Sequence, residues 1–106
     1  MHTMATYTSR AEVMKALAHP ARLMMLDALA EADELCVCEL QALVGSSMPT
    51  VSTHLAQMKN AGIIAARREG NWVHYRLLVP CLMKLFTCVD AVLKSEAERM
   101  AEALEE

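Results

Sequence analysis

Two short helical patterns joined by a tight turn constrain the fold of this chain more than any other feature. The first pattern begins after Asp33, a good N-cap residue, and ends at Gly45. The second is opened by Pro49 and ended by Gly62. Its apolar residues at i, i+4 and i+7 form one buried stripe: Val51, Leu55 and Met58. The pair, at about residues 34–61, predicts a helix-turn-helix.

The residues that follow this pair predict a β-hairpin. The β-leaning stretches IIAARR and WVHYRLL enclose EGN, with Gly70 in the turn, so a wing is expected at about residues 63–79. A capping box of Ser9 and Glu12 predicts a helix over about 9–18, and Pro20 begins another through about Leu29. The expected fold is mainly α with a β-hairpin, a dimeric winged helix-turn-helix in a single domain over residues 1–106.

The last helix indicates that the chain forms a homodimer. It begins near Pro80, runs to about residue 104, and its segment CLMKLFTCVDAVL is apolar on nearly every side. The composition agrees, because 55% of the 106 residues are hydrophobic, more than one small domain can easily bury. The last helix, with the first, is therefore the predicted dimer element.

The sequence also indicates where the chain functions. No run of about 18 apolar residues could span a membrane, and MHTMATYTSRAEVMK lacks the apolar core of a signal peptide. We therefore expect a soluble, cytoplasmic protein without a membrane partner. In that compartment, four cysteines favour metal binding or redox sensing over structural disulfides.

Charge is distributed unevenly along the chain. The formal net charge is −3, but residues 46–76 carry four basic residues against Glu69, a balance of +3. The segments before and after each have a balance of −3. A basic middle between acidic ends favours a nucleic-acid partner at the helix pair and wing.

Polar residues on the second helix and on the wing are candidates for contact with double-stranded operator DNA. Hydroxyl, amide and cationic side chains bind base edges and phosphates, and the second helix of such a pair enters the major groove. The candidates are Ser47, Thr50, Ser52, Thr53, His54, Gln57, Lys59, Arg67, Arg68, Asn71 and His74. The alternative is an ordinary solvated helix whose hydroxyls only cap it, with Ser52 partly structural. Trp72 and Tyr75 are interpreted as residues that pack within the wing.

The motif ELCVCEL, residues 34–40, places two thiols at the start of the first helix of the pair. With Asp33 as N-cap, Cys36 is the third helical residue, and the side chains of Cys36 and Cys38 would point about 200° apart. Both sulfurs could then bind one soft ion only if this turn unwinds, which would disturb the DNA-reading pair. The alternative is two buried cysteines that act as small hydrophobic residues.

Cys81 and Cys88 are both predicted on the last helix. They share one face of it but lie about 10 Å apart along its axis. Either residue could supply a third sulfur to Cys36 and Cys38, within one protomer or across the dimer. Both could equally be apolar core at the dimer interface. The sequence leaves these two interpretations open.

Four motifs resemble the ArsR/SmtB family of winged-helix metal-sensing repressors: LAHPARLMML, ELCVCEL, MPTVSTHLAQMKNAGII and GNWVHYRL. The resemblance covers roughly residues 10–80 and implies a homodimer that represses its own operon and leaves the operator when an ion binds. ELCVCEL is similar to the sensing motif of the arsenic- and cadmium/lead-responsive branches. The third cysteine of enterobacterial arsenic sensors is replaced here by Gln41, and the zinc site of the last helix is missing from LLVPCLMK.

The leading hypothesis is a repressor released by As(III) or Sb(III), bound by Cys36, Cys38 and either Cys81 or Cys88. One alternative is the same fold responding to Cd(II), Pb(II) or Zn(II). Another is a repressor that senses oxidants or persulfides through its thiols. An enzyme is not expected, because a small thiol oxidoreductase or metal carrier would leave the basic wing unexplained.

Overall fold

A computed structural model describes residues 1–105 of the chain. In chain order the elements are α1 (Met4–Leu17), α2 (Pro20–Glu31), β1 (Leu35–Cys36), α3 (Val37–Val44), α4 (Met48–Asn60), β2 (Ile64–Glu69), β3 (Trp72–Leu77), a 3-10 turn (Pro80–Leu82) and α5 (Met83–Glu105). The helix pair α3–α4 is followed by the β2–β3 hairpin, so the described residues adopt the winged helix-turn-helix arrangement that the sequence predicts.

The start of α3 differs from the prediction. The helix begins at Val37, and the two residues before it form strand β1, which pairs antiparallel with β3 in a sheet of order β1-β3-β2. Cys36, not Asp33, is the N-cap residue. The strand is favoured because Leu35 packs against the core. In addition, pairing with β1 gives hydrogen-bond partners to backbone groups along one edge of β3.

Helix α1 begins five residues earlier than the capping box of Ser9 and Glu12 predicts. Thr3, in extended conformation, is its N-cap residue, and the N–H groups of Thr6 and Tyr7 donate to the Thr3 carbonyl at 3.0 and 3.3 Å. Ser9 and Glu12 therefore lie inside the helix. The earlier cap wins because the residues between them contain no glycine or proline to interrupt the helix.

The core lies where α2, α3, α4 and the base of the wing meet. Its fully buried large side chains are Met25, Leu26, Leu29, Leu40, Val51, Leu55, Met58, Ile63 and Ile64. The turn between α3 and α4 is possible because Gly45 adopts φ = +77°, a left-handed conformation that glycine reaches without a steric penalty. This turn fixes the angle between the two helices and so the face that α4 turns to solvent.

Helix α5 contributes no buried residue to the described structure. Leu85 and Phe86 near its start pack partly against the core, but the apolar side chains further along are open to solvent, Val92 being 67% exposed. Met4, Tyr7 and Met14 of α1 are exposed as well. Apolar surface of this extent on two elements marks an interaction site. Within residues 1–105 no helix is both long and apolar enough to cross a membrane.

Two leucines of α3 provide a test of this core. Leu40 is 0% exposed and Leu43 is 45% exposed, three residues further along the helix. We expect Leu40→Ala to lower the free energy of unfolding by about 2–5 kcal/mol, since it leaves a cavity between α3 and its neighbours. Leu43→Ala should change it by less than about 0.5 kcal/mol. Urea unfolding followed by circular dichroism measures both, and equal losses would contradict the assigned face of α3.

Candidate functional site

Cys36 connects the sheet to α3 through two local hydrogen bonds. Its backbone is extended, with φ = −77° and ψ = 156°, and its N–H donates to the carboxylate of Glu39 at 3.1 Å. In return the N–H of Cys38 points to the Cys36 sulfur at 3.2 Å. These bonds satisfy backbone donors that a helix start otherwise leaves unpaired. The Cys36 sulfur is therefore part of the helix cap itself.

The two sulfurs of the motif meet, which corrects the expectation that they diverge. Cys36 and Cys38 are joined as a disulfide, with their Cα atoms 5.4 Å apart. They can meet because Cys36 lies outside the helix, so no turn has to unwind. Cys36 is buried, 6% exposed, whereas Cys38 is exposed at the surface. In reduced form this arrangement offers two neighbouring soft donors with one side open to solvent.

The other two cysteines are free thiols. Cys81 lies in the 3-10 turn and Cys88 on α5, and both are exposed. Across residues 1–105 of one protomer, no three Cys, His, Asp or Glu side chains are grouped so that they could hold a metal ion. A metal site built on Cys36 and Cys38 would therefore need a further donor from a second chain or from a rearrangement of this one.

Most of the candidate DNA-binding residues of α4 lie on its exposed side: Ser47, Thr50, Ser52, Thr53, Gln57 and Lys59. Some hydroxyls also serve the helix. Ser47 accepts from the Thr50 N–H at 3.4 Å and donates to the Thr50 hydroxyl at 2.9 Å, and Thr53 donates to the Pro49 carbonyl at 3.0 Å. The capping role and an exposed position thus coexist on the same residues.

His54 is not on that exposed side, and this placement corrects its assignment to the DNA-facing surface. It is 7% exposed; its ring nitrogen Nδ1 accepts from Nε of Arg22 at 3.0 Å, and its ring lies 4.2 Å from that of His19. The signal was present in the sequence, because position 54 completes the stripe of Val51, Leu55 and Met58 at i+3. His54 anchors α4 to the start of α2.

On the wing, Arg67 is engaged by carboxylates. It donates to both oxygens of Glu34, at 2.7 and 2.9 Å, and to Glu69 at 2.9 Å. Hydrogen bonding by Arg67 lowers the pKa of Glu34, and the two carboxylates raise the pKa of Arg67. Its charge is therefore largely compensated within the chain. The partner Glu34 is 33 positions away in sequence, which no local pattern reveals.

The remaining wing residues divide between two faces. Arg68 and Asn71 are exposed near the hairpin tip, and His74 is half-buried with its Nε2 atom 3.9 Å from Glu69. Tyr75 packs against the core, as expected for a wing-packing residue. Trp72 does not pack there and is 57% exposed, because it lies at the tip of the hairpin beyond the core.

The buried histidine predicts a dependence of stability on pH. Burial, reinforced by His19 and Arg22, holds the pKa of His54 below its ordinary value. The unfolded chain therefore binds a proton at His54 that the folded chain resists, and the free energy of unfolding falls as pH drops through about 6.5. We expect the urea midpoint to fall between about pH 7.5 and 5.5, and to fall less in His54→Gln. An identical pH dependence in that variant would contradict this role of His54.

Comparison with known proteins agrees with this geometry. Residues 19–66 match the family described as "Bacterial regulatory protein, arsR family". An uncharacterized HTH-type transcriptional regulator of Methanocaldococcus jannaschii is 39% identical over 87 residues, which are 82% of this chain and 98% of that protein. An arsenic resistance transcriptional regulator of Pseudomonas putida is 49% identical over 65 residues, 61% of this chain. That match spans about half, 51%, of the Pseudomonas protein.

Solved structures of similar fold cover nearly the whole chain. A crystal structure of Rv0081 from Mycobacterium tuberculosis has a TM-score of 0.76 and 35% identity, covering 90% of this chain and 96% of that one. The AntR antimony-specific transcriptional repressor has a TM-score of 0.72 and 36% identity, with coverages of 92% and 86%. A homodimeric winged helix-turn-helix DNA-binding domain from Mycobacterium bovis has a TM-score of 0.73 and 34% identity, with coverages of 91% and 88%. From its fold, its matched motifs and these relatives, the chain belongs to the ArsR family of winged helix-turn-helix transcriptional repressors.

Proposed function

We propose that this chain is a homodimeric repressor that leaves its operator when As(III) or Sb(III) binds Cys36, Cys38 and a third thiolate. The observation that carries the proposal is the position of the two sulfurs. They lie together at the N-cap of α3, the helix that packs against the DNA-reading helix α4. Relatives named for arsenic resistance and for antimony-specific repression support the choice of ion.

In this proposal α4 enters the major groove and the wing contacts the neighbouring backbone. The buried stripe of α4 holds the helix on the core, and its opposite side presents hydroxyls, Gln57 and Lys59. Arg68 and Asn71 supply polar contacts from the hairpin tip. Arg67, compensated by two carboxylates, contributes less to phosphate binding than its charge suggests.

The homodimer forms through the apolar surfaces of α5 and α1. No residue of α5 is buried in the described protomer, and a second copy of the chain would remove those side chains from water. The related domain from M. bovis is homodimeric. A two-fold axis between the protomers presents two copies of α4 to the two half-sites of an operator.

The ion is held by three thiolates, which suits the pyramidal preference of trivalent arsenic and antimony. Cys36 and Cys38 supply two, and Cys81 or Cys88 of the other protomer supplies the third. Two features support a ligand from across the dimer. No third donor joins the pair within residues 1–105 of one chain, and both free cysteines are exposed on or beside the apolar α5.

Ligation acts on DNA binding through the cap of α3. The Cys36 sulfur accepts a hydrogen bond from the Cys38 N–H, and an ion bound to that sulfur would compete with this hydrogen bond. Loss of an N-cap interaction costs about 1 kcal/mol, and couplings of about 1–3 kcal/mol change an affinity 5- to 150-fold. Disturbing this cap is therefore sufficient in magnitude to weaken operator binding by movement of α3 against α4.

A thiol-sensing repressor is the second candidate, and the disulfide between Cys36 and Cys38 favours it. In that case an oxidant or a persulfide converts the two thiols of Cys36 and Cys38 to their disulfide, and this oxidation replaces ion binding as the signal. The same two sulfurs serve both chemistries, so the signal that releases DNA decides between them.

Operator binding measured by fluorescence anisotropy tests the proposal directly. The complex should weaken steeply with salt, as expected for a protein that neutralises phosphates. Under reducing conditions As(III) should release the operator from the wild-type chain and not from Cys36→Ser, whose operator affinity without ion stays close to wild type. Release only by polysulfide would favour the thiol-sensing candidate, and release only by Cd(II), Pb(II) or Zn(II) would identify a divalent-metal sensor.

Mixed dimers identify the third thiolate and its chain. Cys81→Ser or Cys88→Ser should abolish As(III) release, depending on which residue is the ligand. In a dimer of one Cys36→Ser protomer and one protomer lacking the third-ligand cysteine, we expect one site to stay intact. That site combines Cys36 and Cys38 of the second protomer with the third-ligand cysteine of the first. It should bind one As(III), measured by ultraviolet thiolate–arsenic absorption. A mixed dimer that binds none would place all three ligands in one protomer.

A further inference from the structure

The thiol site and the wing belong to the same sheet. Cys36 lies opposite His74 of β3, and His74 lies opposite Arg67 of β2. Neighbouring strands are about 4.8 Å apart, so these three residues form one row across the sheet. The segment that carries the thiol site is therefore paired with the wing through β3, in addition to capping α3.

A side-chain contact also links the segment that precedes β1 to β2. Glu34, two residues before Cys36, accepts two hydrogen bonds from Arg67 in the middle of β2, at 2.7 and 2.9 Å. A bidentate contact between a guanidinium and a carboxylate fixes both distance and orientation. Arg67 also binds Glu69, the last residue of β2, but this second contact lies within one strand and does not reach the sensing segment.

From this geometry we infer that Glu34 and Arg67 are positioning residues that transmit inducer binding from the thiol site to the wing. The inference rests on the proposed function and names the contact through which the signal reaches the wing. Exposed ion pairs contribute little to stability, so the value of this contact lies in the geometry that it fixes. Arg67 accordingly acts on the wing's position more than as a phosphate ligand.

The chain contains its own reporter for this movement. Trp72 is its only tryptophan, and it lies opposite Glu69 at the start of β3. As(III) added without DNA should change the tryptophan emission of the reduced wild-type protein. In Glu34→Gln and Arg67→Gln the change should be lost while thiolate–arsenic absorption shows that the ion still binds. Arg68→Gln is the matched control, because Arg68 has no ion-pair partner among residues 1–105, and it should keep the response.

The decisive quantity is the ratio of operator dissociation constants with and without As(III). A coupling of ordinary size gives roughly 5- to 150-fold in the wild type. We expect Glu34→Gln to reduce this ratio at least about threefold, and the cap of α3 carries the part that remains. A merely structural contact would weaken both affinities equally and leave the ratio unchanged. Glu69→Gln removes the other carboxylate from Arg67 without touching the sensing segment, and it should retain the wild-type ratio.

A charge exchange completes the test. Glu34→Arg combined with Arg67→Glu should restore at least part of the ratio that either single change removes. Unchanged ratios and unchanged tryptophan responses in both Glu34→Gln and Arg67→Gln would overturn the inference while leaving the proposed function intact. A wild-type chain that binds operator but is never released by ion would overturn both.

Discussion

The pairing of the two-residue strand β1 with β3 is the constraint on which the rest of the structure depends. It holds Cys36 in extended conformation, and this sets the first residue of α3 and turns the Cys36 sulfur towards the Cys38 N–H. It also brings Glu34 within reach of Arg67. A short strand thus places the thiols at the junction of α3 with the wing, the two elements through which the proposed function couples the thiols to DNA binding.

A second constraint fixes the orientation of α4, the helix that enters the major groove in the proposed function. Three apolar residues and His54 bury one side of α4, and the hydrogen bond from Arg22 to His54 joins that side to α2. Because a buried polar ring needs a partner, this bond specifies the rotation of α4 more narrowly than apolar packing alone. The polar residues on the opposite side then share one surface.

The sequence was sufficient for the elements whose ends carry strong signals. Helix α4 and the hairpin lie where Pro49, Gly62 and Gly70 place them, because a proline at a helix start and a left-handed turn are local properties. Strand β1 was missed because a two-residue strand is too short to show an alternating pattern. Its pairing partner also lies far away in the chain, since Leu35 pairs with Tyr75, 40 positions further along. Of the candidate site, the thiols and the exposed side of α4 could be named from sequence. The ion pair of Arg67 could not, because contact between distant segments follows only from the folded sheet.

The bare surface of α5 has a consequence for how such a repressor would behave in a cell. If two chains must associate through it before they can read both half-sites, dimer formation depends on the square of the protomer concentration. Operator occupancy then responds more steeply to the number of copies than it would for a protein that binds alone. A repressor that limits its own synthesis would therefore settle at a narrow range of abundance, and Val92 and its apolar neighbours on α5 would set where that range lies.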